Sequence, residues 1–483
     1  MTEKWKLEKR EAGPLHQQIY DFVKGKIRSG EWPVGMRIPS QRELAAALAV
    51  NRSTVVHALG ELAADGLVES AVGRGTVVAN STWNLLAGTR QPDWGRYVSS
   101  GAYRPNLSLI RRINEAEPDP SLIRLGTGEL SPELLPSTRI AELLAGSVSG
   151  PLSLGYPEPK GSYPLREALS SYLQRKGISA SPSSILIVSG ALQGLQLISL
   201  GLLRPGSVIL AENPTYLNSV HVFQSAGMEL RTVPMDGDGI RPDAVGRLMR
   251  QHGASLLYTN PTYRNPTGGV MTLKRRESLM QACGEARLPV VEDDAYGDLW
   301  LDEPPPSPLK SLDSQGLVLH MGSMSKSLGP GLRIGWIAGP EPVIERLADI
   351  KMQTDYGSST LSQHAVAEWL ATGCHEEHLS FLRGKLRERR GIALEALEAS
   401  FSDLADWTMP RGGFYIWLRL RKPLDMRRLF ETALQAGVLL NPGSIYDRED
   451  RQHLRLSYSF ASLSQLREGL AVLSSLIRSL TAP

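Results

Sequence analysis

Residues 320–336 read HMGSMSKSLGPGLRIGW. They set one lysine, Lys326, among serines and glycines at the end of a β-rich run, with Arg333 seven positions on. A lysine amine is a poor nucleophile while protonated, so a site that uses it must lower the cost of the free amine. The stretch has companions along the chain. SILIVSG (184–190) runs into the helical pattern ALQGLQLISLGLL (191–203), and SLLYTNP (255–261), LPVVEDDAY (288–296) and GLVLHMGSMSK (316–326) repeat the strand signal. Strands alternating with helices predict an α/β fold with a mainly parallel central sheet, whose ligand site lies at the carboxyl ends of the strands.

The residues at those ends form a chemical set. Asp293 is placed to hold a pyridine nitrogen protonated; Asp294 is the alternative, and the D-[DE]-x-Y pattern favours the first acid. Tyr296, three residues on, and Asn265 in YRNPTGG (263–269) both suit a phenolic ring oxygen. The free amides of Ala191 and Leu192, where a strand turns into a helix, suit a phosphate. Ser323 and Arg333 add phosphate donors, Arg333 as a two-pronged partner. Tyr216 in ENPTY (212–216) suits stacking on a ring face. Pyridoxal 5'-phosphate (PLP) is the cofactor that needs such a set: a Schiff-base lysine, an acid for the ring nitrogen and a cradle for the phosphate.

From about residue 121 onward these motifs, in this order, resemble the fold-type I PLP-dependent aminotransferases. The resemblance implies a mainly parallel central sheet and a smaller C-terminal α/β subdomain. It assigns the Schiff base to Lys326, the pyridine nitrogen to Asp293, the ring oxygen to Asn265 and Tyr296, and the phosphate to Ser323 and Arg333. It also sends Tyr156, in LGYPEPKGSYPLREAL (154–169), to the phosphate of a neighbouring subunit, and matches Arg455, in LRLSYS (454–459), to the arginine that grips a substrate α-carboxylate. Arg264 stands before NPTGG where related enzymes commonly carry a neutral side chain, and is expected to recognise a second acidic or polar group on the ligand.

The first 80 residues follow a different pattern. In PLHQQIYDFVKGKIRSGEW (14–32), Leu15, Ile19, Phe22 or Val23, and Ile27 recur at helical spacing before Gly30. Ser40 and Glu43 form an S-x-x-E capping box for a second helix. Asn51 is the expected N-cap of a third, with Val55, Ala58, Leu59 and Leu62 on one buried face. GLVESAVGRGTVVA (66–79) predicts two short strands around a Gly-Arg-Gly turn. Helix, helix-turn-helix and hairpin in that order describe an α+β winged helix-turn-helix. Arg42, Arg52, Ser53 and Thr54 fall at helix starts, off the apolar stripe, where phosphate and base-edge contacts are made, and Arg74 falls at the wing tip. The segment resembles the GntR family of bacterial regulators.

Residues 81–120 are rich in Gly, Pro and Ser with scattered aromatics (Trp83, Trp94, Tyr97) and no sustained period, and are expected to be a linker between a domain at 1–80 and one at 121–483. The whole arrangement resembles the MocR subfamily of transcriptional regulators. That resemblance implies operator DNA and an amino compound as partners, a head-to-tail homodimer, and a large domain that senses the amine or PLP itself. The alternative is a working aminotransferase that carries a DNA-binding appendage.

Composition bounds these readings. The chain of 483 residues is 41% hydrophobic and 21% charged, as a soluble multidomain protein would be. Its net charge of +3 is too small to argue for nucleic acid by itself. Two cysteines, Cys283 and Cys374, lack metal-ligand or disulfide spacing, so no metal is expected and a reducing cytoplasm is the natural setting. The charged N-terminus has no signal-peptide pattern. The most apolar stretch, Ser184 to Leu203, is interrupted by Ser, Gly and Gln, so no membrane association is expected.

Overall fold

A computed structural model describes residues 14–29, 31–71, 75–79, 100–101, 106–147 and 155–481. It divides into two compact units, residues 1–101 and 102–483. In the first, α1 (Leu15–Arg28) buries Ile19, Val23 and Ile27, four residues apart on one face. Phe22 is the half-buried neighbour, packed edge-to-face on Trp32 at 6.1 Å. The capping box that starts α2 (Gln41–Leu48) is fully formed: the Glu43 amide donates to Ser40 Oγ at 3.3 Å and the Ser40 amide to Glu43 Oε2 at 2.7 Å. Ala49, in the left-handed region at φ 51°, turns the chain toward α3 (Arg52–Ala64). Asn51 is the N-cap of α3 by position, although its side chain makes no capping hydrogen bond. Val55, Ala58, Leu59 and Leu62 are buried as their spacing predicts. β1 (Val68–Ala71) and β2 (Gly75–Val78) pair antiparallel, completing a winged helix-turn-helix. The wing turn with Arg74, and Trp83, Trp94 and Tyr97, lie outside the described residues.

The second unit begins inside the segment expected to be linker. Helix α4 (Ser108–Ala116) buries Ile113, and Leu109 and Ile110 pack beside it. Its apolar stripe spans only nine residues, too short to stand out between the polar stretches around it.

Seven strands build the main sheet: β3 (Ile185–Val188), then β4 (Val208–Ala211), β5 (Glu229–Thr232), β6 (Ala254–Thr259), β7 (Val290–Asp293), β8 (Val318–Ser323) and β9 (Gly335–Ala338). Across the sheet their order is β3-β9-β8-β7-β6-β4-β5. Every pair is parallel except those of β9, which runs antiparallel to both its neighbours. Both faces are covered, which is why the strands are near-continuous apolar runs. Leu256, Tyr258 and Val291 pack into one layer, and Leu257 and Val290 into the other. Helix α5 (Ala191–Gly201) follows β3 directly and covers one face.

The smaller C-terminal subdomain is built on α6 (Cys374–Phe401), an antiparallel sheet of β10 (Ala405–Trp407), β11 (Tyr415–Leu420) and β12 (His453–Ser457), and α7 (Leu463–Thr481). Their apolar faces share one core with α4. Among the described residues no helix is long and apolar enough to cross a membrane.

Candidate functional site

The carboxyl ends of β3, β7 and β8 converge on one cavity of about 370 Å³. Lys326, Asp293, Tyr296, Asn265, Tyr216, Ala191, Leu192, Ser323, Arg333 and Arg455 all line it. Residues from Ala191 to Lys326 meet there because the main sheet brings its strand ends together, and β12 of the C-terminal subdomain adds Arg455.

Lys326 follows β8, and its Nζ donates to the Gly128 carbonyl at 2.7 Å. The same amine lies 6.0 Å from the centre of the Tyr296 ring. Asp293 is buried at the end of β7. The Tyr258 hydroxyl donates to its Oδ2 at 2.6 Å, while Oδ1 is buried with no well-formed hydrogen bond. Burial pushes this carboxyl above the usual carboxylate range, and the Tyr258 hydrogen bond only partly opposes that. Asp294, the alternative acid, turns the other way. It faces Lys176 at 3.5 Å in a separate cavity that Asp298 also lines.

Where β3 gives way to α5, Gly190 has φ +85°, and a Cβ there would stand 2.5 Å from Arg333 Nη2. The positive φ favours glycine, and a Cβ there would displace the end of the Arg333 side chain. Glycine lets Arg333 reach across, its Nη2 donating to the Ser189 carbonyl at 2.8 Å, beside the first amides of α5. Ser323 Oγ and Ser325 Oγ lie 2.9 Å apart on the same rim.

Arg455, on β12, is buried over the Tyr415 ring at 4.1 Å. Its Nη1 donates to Asn265 Oδ1 at 2.9 Å and its Nη2 to the Gly126 carbonyl at 2.6 Å, while Nε is buried without a partner. With its oxygen taken by Arg455, Asn265 presents its amide donor end.

Two expected residues stand outside the cavity. Arg264 is corrected: it is buried in an ion pair with Glu212, 3.1 Å from Nε to Oε1, and does not line the cavity. The cause is Glu212 itself, a buried carboxylate that already accepts from Thr259 Oγ1 at 2.7 Å and needs a counter-charge. Tyr156 is 81% exposed, its ring 5.1 Å from that of Tyr356. In the first unit Arg42, Arg52 and Ser53 are exposed and Thr54 is half-buried, all at helix starts, with Arg52 Nη2 donating to Gln41 Oε1 at 3.1 Å.

The sequence reading missed Tyr258, Asn260, Ser325, Tyr415 and Glu117, which also line the cavity. Tyr258 was within reach: it is the last residue but one of β6 and pairs with Val291, two residues before Asp293. Tyr415 meets Tyr296, hydroxyl to hydroxyl at 2.8 Å, across a sequence separation that leaves no local signal. The described residues also contain one grouping of metal-ligand type, His16, His57 and Glu61, in which the two imidazoles pack edge-to-face at 4.5 Å.

Fold and site together define a winged helix-turn-helix unit joined to an aminotransferase-like domain. Residues 120–473 match the family model for aminotransferase class I and II, and residues 15–78 match that for bacterial regulatory proteins of the gntR family. The chain therefore belongs to the GntR-type regulators fused to a class I and II aminotransferase domain, the arrangement of the MocR subfamily. It is 54% identical to the HTH-type transcriptional regulator YisV of Bacillus subtilis (strain 168), over 96% of each chain. It is 33% identical to the HTH-type transcriptional regulator NorG of Staphylococcus aureus (strain USA300), over 90% of this chain and 98% of that one. Among solved structures, a kynurenine aminotransferase of Pyrococcus horikoshii, in complex with PMP, matches with TM-score 0.76 and 30% identity over 81% of this chain and 99% of that one. LysN, an α-aminoadipate aminotransferase of Thermus thermophilus, matches with TM-score 0.74 and 30% identity over 80% of this chain and 99% of that one.

Proposed function

We propose that the protein is a PLP-dependent transcriptional regulator that binds operator DNA through residues 1–80 and senses an amino compound in the cavity around Lys326. The observation that carries this reading is the pairing of Lys326 with a buried, under-bonded Asp293 in one cavity, on a chain that also holds a complete helix-turn-helix. The polar atoms fit the cofactor. Asp293 Oδ1 lacks a donor, and a protonated ring nitrogen is one; Arg455 Nε lacks an acceptor, and a carboxylate is one.

PLP, when bound, supplies an aldehyde that condenses with a primary amine and a ring that accepts electrons. Lys326 supplies the amine that holds it. A cationic partner at Oδ1 would favour the charged form of Asp293 and offset the cost of its burial. Tyr296 and the amide of Asn265 would serve the ring oxygen, Tyr216 the ring face, and the amides of Ala191 and Leu192 with Ser323 and Arg333 the phosphate. Arg455 takes the effector's carboxylate. Arg42, Arg52, Ser53 and Thr54 touch DNA, as does Arg74. The exposed Tyr156, outside its own cavity, is suited to the phosphate of a second subunit in a head-to-tail dimer. A cytoplasmic setting follows from DNA as the partner.

The second reading, an aminotransferase that turns over, is favoured by the likeness to solved aminotransferases at 30% identity and by the intact lysine, acid and carboxylate arginine. One titration separates the two. The purified protein is exposed to a panel of amino compounds while the cofactor absorbance is followed and keto acid is assayed in the same cuvette. A compound that shifts the band and stops short of repeated turnover supports the sensor; keto acid that accumulates over many turnovers supports the enzyme.

A further inference from the structure

We propose that Glu117 recognises a second positive charge on the effector, so that the cavity selects amino acids with a cationic side chain. The inference rests on the PLP-dependent reading above. Its basis is the segment Gly126-Thr127-Gly128, which touches three charged side chains in succession. The Gly126 carbonyl accepts from Arg455 Nη2 at 2.6 Å, the Thr127 hydroxyl donates to Glu117 Oε1 at 3.0 Å, and the Gly128 carbonyl accepts from Lys326 Nζ at 2.7 Å. All three charged groups line the one cavity.

The segment is held close to its neighbours. A Cβ at Gly126 would stand 2.7 Å from Asn441 Cβ, and one at Gly128 would stand 2.5 Å from the Tyr415 hydroxyl, so the backbone occupies space that any other residue would fill. Thr127 is buried and spends its hydroxyl on fixing one oxygen of Glu117. The other oxygen, Oε2, makes no hydrogen bond among the described residues. An α-amino acid brings a carboxylate to Arg455 and an amine to the Lys326 end. Its side chain then meets a half-buried anion whose position is already set. Glu117 already feels the Arg455 guanidinium, and an ammonium or guanidinium group on the ligand adds a second cation to it, an alkyl group adds none, and a carboxylate is repelled by it.

The test compares L-ornithine and L-lysine with L-norvaline and L-norleucine, the same chains without the terminal ammonium. Dissociation constants are read both from the shift of the cofactor absorbance and by calorimetry on the full-length PLP-loaded protein. The wild-type protein is expected to bind the cationic member of each pair about tenfold or more tightly. Glu117→Gln keeps an acceptor for Thr127 and removes the charge, and is expected to bring that ratio close to one. Equal affinity within both pairs in the wild-type protein overturns the inference and leaves the PLP reading standing, as does a preference that Glu117→Gln retains. A wild-type protein that shows no cofactor band after loading overturns the PLP reading, and the inference falls with it.

Discussion

At the scale of single residues, the account turns on what each buried charge is paired with. Lys326 and Asp293 were legible because each closes a β-rich run, where a parallel sheet exposes its functional groups. Arg264 was misjudged because its partner, Glu212, ends a different strand region, and no sequence spacing announces a buried ion pair between them. Asp293 and Asp294 are adjacent in sequence and face different cavities, as alternation along a strand end requires. Lys326→Ala is predicted to lose the cofactor band on dialysis, measured by absorbance against the wild-type protein. Asp293→Asn is predicted to weaken PLP binding by at least tenfold, roughly the worth of one charge-assisted hydrogen bond. Asp294→Asn, whose side chain answers to Lys176 instead, is predicted to change PLP affinity much less. A larger effect at Asp294 would reverse the assignment.

At the scale of elements, the capping box, the buried stripe of α3 and the strand runs were readable because each is a local pattern. Helix α4 was not, since its stability comes from packing Ile113 into a core assembled mostly from the far end of the chain. The start of α5 depends on Gly190. Gly190→Ala places a methyl against Arg333 and forces a non-glycine residue to φ +85°, a cost of about 1–3 kcal/mol or an equivalent displacement of Arg333. It is predicted to lower both the urea midpoint and the affinity for PLP. Helix α6 carries a pH-dependent term. Burial, reinforced by neighbouring His375, lowers His378 to about 4 from an ordinary value of 6.5. Because the folded pKa is depressed, the stability present above pH 6.5 is lost as pH falls toward 4, by up to roughly 3 kcal/mol. His378→Phe is predicted to flatten the urea midpoint across that window, and an unchanged slope would refute the assignment.

At the scale of the whole molecule, a GntR-type helix-turn-helix unit and an aminotransferase-like unit share one chain. DNA affinity is predicted to rest partly on Arg42 and Arg52. Replacing either with Ala is expected to reduce the slope of log affinity against log salt by about 1 if that residue neutralises one phosphate. For an amine to regulate, it must favour one state of the chain, and coupling of about 1–3 kcal/mol corresponds to a 5- to 150-fold change in DNA affinity. The most direct measurement takes a DNA fragment selected for tight binding by the full-length protein. Affinity for that fragment is determined with and without an amino compound that shifts the cofactor band, in the wild-type protein and in Lys326→Ala. The account predicts a change of at least fivefold that Lys326→Ala abolishes. An affinity indifferent to the compound, while keto acid accumulates over many turnovers, would contradict it and identify the large domain as an enzyme.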